Sequence, residues 1–132
     1  MPAEKKDTVI LSVADLFFIS KLKTALENQN CTVRLAPNAT KILTAVEEGL
    51  PSLVILDLEN DQHDPIGIVQ TIRDVEKLKD LPILAYTNHM KIIEWEKKIK
   101  GNQTIVVSNS YISAHISDFS GLKMLFEDQQ NG

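Results

Sequence analysis

At 132 residues with 43% hydrophobic content, the chain fits one domain with a continuous core and is too apolar for a disordered tail. Its 14 Lys and Arg against 18 Asp and Glu leave a net charge of -4, which argues against the concentrated basic surface a nucleic-acid partner requires and favours a protein partner. No apolar run approaches the roughly 20 residues that span a bilayer, and Met1 to Lys6 open without a secretory apolar region, so the expectation is a cytoplasmic protein without a membrane partner.

In chain order, residues 8–13 form the first short apolar run, rich in Val and Ile and of strand length. A helical stretch follows with Phe18, Ile19, Leu22, Ala25 and Leu26 on one face. Cys31, the single cysteine, has no internal disulfide partner and sits beside the next strand, where a small thiol packs as a hydrophobe. That strand, residues 32–35, alternates Val33 and Leu35 with Thr32 and Arg34, as suits an edge strand with one wet face. A second helix presents Ala39, Ile42, Leu43 and Val46. Residues 52–56 are a continuous apolar run of the kind buried in parallel sheets. Asp64 as N-cap and Pro65 at the first helical position open a third helix with Ile68, Val69, Ile72 and Val75 inward. Residues 82–86 give a fourth strand, residues 91–100 a fourth helix with Ile92, Trp95 and Ile99 together, and residues 104–107 a fifth strand. One fifth helix closes the series with Ile116, Phe119, Leu122 and Leu125, interrupted by Gly121 at about 1 kcal/mol relative to alanine.

Strands alternating with helices give an α/β fold, (βα)5, a doubly wound parallel sheet with the flavodoxin-like strand order 2-1-3-4-5. A single domain over residues 1–132, with a core over about residues 8–127, is expected. In such sheets a site forms beyond the carboxyl ends of the strands. Those ends carry Ala14 and Asp15, Asp57, Thr87 and Ser108, so two carboxylates and a hydroxyl are expected to converge.

Over nearly its whole length the sequence resembles the response-regulator receiver domains. The densest match is Leu53-Val54-Ile55-Leu56-Asp57-Leu58-Glu59, followed by Asp64 and by Thr71-Ile72-Arg73; Leu81-Pro82-Ile83-Leu84-Ala85-Tyr86-Thr87 reinforces it. The resemblance implies that Asp57 is the phosphoacceptor position and Thr87 the switch position. It further implies Mg²⁺ held by Asp15, Asp57 and the backbone carbonyl of Glu59, hard oxygen ligands that suit this ion. The sequence departs from the family pattern at several of these points. Ala14 replaces the first of two adjacent acids and offers no oxygen, so Mg²⁺ binding is expected to be weak. Ser108-Asn109 replaces a lysine, usually followed by proline, and a neutral hydroxyl cannot offset an aspartyl phosphate. Asn88 stands where a small residue is usual, Ile105 near a usual aromatic, and Asp61 and Pro65 where proline and glycine are usual.

Each of these residues also has a plainer reading: Asp57 as a loop cap, Asp15 as the N-cap of the first helix, Thr87 as a turn residue and Trp95 as core packing over the sheet edge. His63, His89 and His115 lack ligand-like spacing. No glycine-rich phosphate loop follows the first strand, and no nucleophile elbow or Cys–base pair is present, which argues against nucleotide chemistry and hydrolysis. Two functions follow from the resemblance. The first is a pseudo-receiver of a two-component-type pathway, without enzymatic activity, acting through protein contacts. The alternative is an atypical Mg²⁺-dependent response regulator phosphorylated on Asp57. The expected partner is a histidine kinase or downstream signalling protein, which docks on the fourth helix, fifth strand and fifth helix around Trp95, Tyr111 and Ile112. With the chain ending at Gly132 and no output domain expected, output passes through contacts.

Overall fold

Buried parallel strands need side chains that are apolar on both faces, and the central run Leu53-Val54-Ile55-Leu56 supplies four, each with no exposed surface. In the computed structural model, which describes residues 6–60, 63–99 and 101–130, this run is the middle of a five-stranded parallel sheet. The strands are β1 (Thr8–Ser12), β2 (Thr32–Leu35), β3 (Leu53–Asp57), β4 (Ile83–Thr87) and β5 (Thr104–Ser108), in the order β2-β1-β3-β4-β5. The helices are α1 (Leu16–Glu27), α2 (Ala39–Glu48), α3 (Pro65–Asp74), α4 (Ile92–Ile99), α5 (Asn109–His115) and α6 (Phe119–Gln130), with 3-10 turns at Glu76–Leu78 and His89–Lys91. Asp61, singled out from the sequence, and Lys100, the last residue of the expected fourth helix, lie outside the described residues, as do residues 1–5, 62 and 131–132.

The period of two along each strand divides the core into two layers. On one face Ile10, Val54, Leu56, Ile83 and Ala85 pack with Ile42 and Val46 of α2, Ile68 and Ile72 of α3 and Ile99 of α4. On the other, Val9, Leu11, Leu53, Ile55, Leu84 and Tyr86 meet Leu22 and Leu26 of α1, Ile112 of α5, and Leu122 and Phe126 of α6. Cys31 is buried in this second layer, and burial pushes its thiol pKa up, as befits a packing residue. Among the described residues no helix is long and apolar enough to cross a membrane.

Two expectations from the sequence require correction. The single fifth helix is two, because the chain breaks after His115 and restarts at Phe119. Asp118 drives the restart: its Oδ1 accepts from the Gly121 N–H at 3.1 Å, satisfying one of the amides that a helix start leaves unpaired. Gly121 therefore sits in the first turn of α6, and a Cβ there would lie 2.2 Å from the Asp118 carboxylate. The second correction is Leu35, expected to face inward with Val33. It is 54% exposed at the end of the edge strand, while Val33 packs on the core.

The amino ends of β4 and β5 are tied by one cation. Arg73, at the end of α3, donates through Nη1 to the carbonyls of Leu78 and Leu81 at 3.1 and 2.8 Å. Through Nη2 it donates to the Gln103 carbonyl and the Thr104 hydroxyl, both at 3.0 Å. Burial pulls its guanidinium pKa down from the usual value. The opposite end of the sheet is left for the site.

Candidate functional site

Every strand that ends near the middle of the sheet delivers a polar group to the carboxyl edge. β3, β4 and β5 each run one residue further than their apolar runs, which makes Asp57, Thr87 and Ser108 their last residues. Parallel register sets Asp57 beside Tyr86, and Thr87 beside Ser108. A cleft of about 770 Å³ opens there, lined by Ala14, Asp15, Asp57, Glu59, Tyr86 and Asn109, with Leu16, Phe17, Phe18 and Asn60 completing its wall. Phe17 stands on the rim at 90% exposure.

Asp57 is only 8% exposed, and its carboxylate is met by protein donors. Oδ1 accepts from the Glu59 N–H at 2.8 Å, and the Ala14 amide and the Tyr86 hydroxyl supply further hydrogen bonding. Burial is nevertheless the largest influence, and with the charge of Glu59 it raises the Asp57 pKa above the ordinary carboxylate value. Burial first, and then the negative charges of Asp57 and Asp15, push the Tyr86 phenol far above its usual range, so it stays a donor. Phe18 packs edge-on against the Tyr86 ring with centroids 5.0 Å apart, fixing the hydroxyl's approach.

The remaining candidates are placed differently. Asp15 lines the cleft, but its Oδ1 accepts from the Phe18 N–H at 3.1 Å as the N-cap of α1. Thr87 is fully buried, and its hydroxyl donates to Glu59 Oε1. Glu59 enters the resemblance only through its carbonyl; its side chain also carries an ion pair, with Lys91 Nζ 3.5 Å from Oε2. Chiefly the Thr87 hydrogen bond, and then Asn88 and Lys91, hold the Glu59 carboxyl below the usual value. Ser108 Oγ accepts from the Tyr111 N–H at 3.0 Å, so this hydroxyl is the N-cap of α5. Sequence reasoning missed Tyr86 and Lys91.

Mg²⁺ needs oxygen ligands free to turn toward it. Asp15 is committed to a helix cap, Asp57 to protein donors and the Glu59 side chain to Thr87. Among the described residues no group of three or more His, Cys, Asp or Glu is placed to hold a metal ion.

No family model matches the sequence. Over 70 residues the chain is 30% identical to an uncharacterized 14.6 kDa protein in the sodA1 3' region of Leptolyngbya boryana, a match that spans 53% of each chain. Among solved structures it is similar to NtrX from Brucella abortus in complex with ADP, at a TM-score of 0.75 and 16% identity over 96% of this chain and 28% of that one. The isolated receiver domain of NtrX gives a TM-score of 0.71 at 17% identity over 92% of this chain and 98% of that one. The chain has the receiver fold. The phosphorylated cyanobacterial phytochrome response regulator RcpA shares it, at a TM-score of 0.70 and 16% identity over 91% of this chain and 95% of that one.

Within this receiver fold the buried charge of Asp57 has a measurable consequence. A carboxylate whose folded pKa is raised destabilises the native state when ionised, and that penalty disappears as pH falls through the raised pKa. Asp57→Asn should therefore raise the melting midpoint at neutral pH by roughly 2–5 °C, the shift that about 1 kcal/mol gives in a domain of this size. Because wild type recovers the same stability on protonation, the gain should shrink in acid. Thermal melts at both pH values check this, and a lower midpoint for the variant would mean that the hydrogen bonds to Asp57 outweigh its burial.

Proposed function

We propose that the chain is a receiver-like signalling domain of a two-component-type pathway, and that it is a pseudo-receiver: a cytoplasmic, non-enzymatic module over residues 1–132 that acts by binding a protein. One observation carries this reading. The groups that would handle a phosphoryl on Asp57 are engaged with the protein itself, Asp57 with the Glu59 amide and Tyr86, and Thr87 with Glu59. A neutral helix cap, Ser108, holds the place from which a lysine would reach the phosphoryl group. Any Mg²⁺ held through Asp15, Asp57 and the Glu59 carbonyl is weak. The solved structures that share the fold include a receiver domain and a response regulator by name, which supports a histidine kinase or downstream signalling protein as partner. Protein capture should be equal for wild type and Asp57→Asn if output is independent of Asp57. Capture that requires Asp57 would sink the reading.

The partner surface belongs to α4, β5 and α5, without Ile112, which the sequence assigned to it and which is fully buried in the core. Trp95 is half-buried on the core, with Lys98 Nζ 4.9 Å from its ring centre, and Tyr111 is stacked on His115 at 4.0 Å. The apolar side chain that α4 offers to solvent is Ile93, 69% exposed, and it lines a groove with Ile105 and Val106 of β5. Ile93→Asp should weaken partner capture by about tenfold or more while leaving the melt unchanged, because a charge set into an apolar contact costs more than 1.4 kcal/mol. Trp95→Ala should weaken capture too, at some cost in stability. Unchanged capture by both variants would place the interface elsewhere.

A further inference from the structure

Three segments of the carboxyl edge meet at one side chain. Glu59 comes from the connection after β3, and its Oε1 accepts from the hydroxyl of Thr87, the last residue of β4. The Asn88 N–H lies 3.5 Å from the same oxygen, and Lys91, at the end of the 3-10 turn, places Nζ 3.5 Å from Oε2. The turn is closed on itself through Asn88, whose Oδ1 accepts from the Met90 N–H at 2.9 Å and whose carbonyl accepts from the Lys91 N–H at 2.8 Å. One carboxylate thus joins the β3–α3 connection to the end of β4 and to both ends of the turn before α4.

A threonine hydroxyl has one hydrogen to give. Given to Glu59, it is not available to a group on Asp57, and Lys91, the cation within ion-pair distance of Glu59 among the described residues, is held by the same carboxylate. We propose that Glu59 and Lys91 form a built-in latch, which holds Thr87 and the turn at residues 89–91 in one arrangement whatever the state of Asp57. An anionic group added to Asp57 would come up beside the Glu59 carboxylate, whose charge already disfavours ionised Asp57. To reach Thr87 it would have to displace Glu59 from its hydrogen bond and from Lys91 together. The α4 surface next to this turn is therefore presented constantly. This step rests on the signalling reading only in treating the turn as a switch; the latch itself is a matter of local order.

Amide hydrogen exchange on the full chain, measured by NMR without any phosphodonor, tests it. In Glu59→Ala the Met90 and Lys91 amides should exchange about tenfold faster, the loss expected when a charge-assisted hydrogen bond is removed, while amides of β1 and β3 keep their rates. Lys91→Ala should give a smaller rise, and the Thr87 methyl resonance should move in Glu59→Ala. Glu59→Gln guards against misfolding: it keeps an acceptor for Thr87 and loses the pair with Lys91, so its rates should match those of Lys91→Ala. Unchanged Met90 and Lys91 rates in both Glu59 variants, with the sheet intact, would overturn the latch. Phosphate uptake by wild-type Asp57 is a separate measurement: it would remove the pseudo-receiver reading without altering these rates.

Discussion

Arg73→Ala should lower the stability of the chain by about 2–4 kcal/mol, a fall in melting midpoint of roughly 8–15 °C. The guanidinium is the common donor for three carbonyls and one hydroxyl, from Leu78, Leu81, Gln103 and Thr104, all in part-buried positions. Alanine leaves a gap beside all four; the Leu78 and Gln103 carbonyls keep the Leu81 and Ile83 amides, but the Leu81 carbonyl loses its guanidinium donor, and an acceptor removed from water without a donor is more costly than the net value of its bond. Lysine should recover only part of the loss, since an ammonium cannot present the planar fork that reaches two pairs of acceptors. The residue works at the amino edge of β4 and β5, so the amide spectrum of Glu59, Thr87 and Asn88 at the other edge should be unchanged wherever the variant is folded. Thermal melts and a two-dimensional amide spectrum give both readings. A loss under about 1 kcal/mol would mean that water replaces the guanidinium with little effort.

The second large effect is a gain. In Ala14→Asp/Ser108→Lys the cleft acquires a second acid beside Asp15 and a cation at the end of β5, the two charges whose absence sets this chain apart from the receiver pattern. Labelling of Asp57 by acetyl phosphate in Mg²⁺ should rise by about 100-fold over wild type, the scale on which a single preorganised charge or donor acts on a transition state. Ala14→Asp alone should strengthen Mg²⁺ binding measured by calorimetry. Ser108→Lys removes the cap on the Tyr111 amide, so it should also cost about 1 kcal/mol of stability. A double variant that folds, binds Mg²⁺ and still takes up no phosphate would shift the cause of inertness from the missing charges to the hydrogen bonds around Asp57 and Thr87.

The sheet was legible because its physics is written locally. Continuous runs such as Leu53 to Leu56 can only be buried on both faces, and Asp64-Pro65 marks a helix start whatever follows. The position of Asp57 at a strand end followed from the same runs. What the sequence hid depended on register and loop path. Tyr86 reads as one more strand aromatic until parallel pairing sets it beside Asp57. Lys91 is one of several lysines near α4, and only the course of the turn after Thr87 brings it to Glu59. Glu59 enters the receiver resemblance through its carbonyl, and only the path of the chain after β4 brings Thr87 and Lys91 to its side chain. The break between α5 and α6 did carry a mark, Asp118 three residues before Gly121, which capping chemistry identifies as a helix start.

Intact mass after incubation with acetyl phosphate and Mg²⁺ tests the inertness of Asp57 most directly. With Asp57 buried among protein donors, Thr87 bonded to Glu59 and no lysine at position 108, the mass should remain that of the unmodified chain. One added phosphate in wild type, absent from Asp57→Asn, would contradict the pseudo-receiver reading.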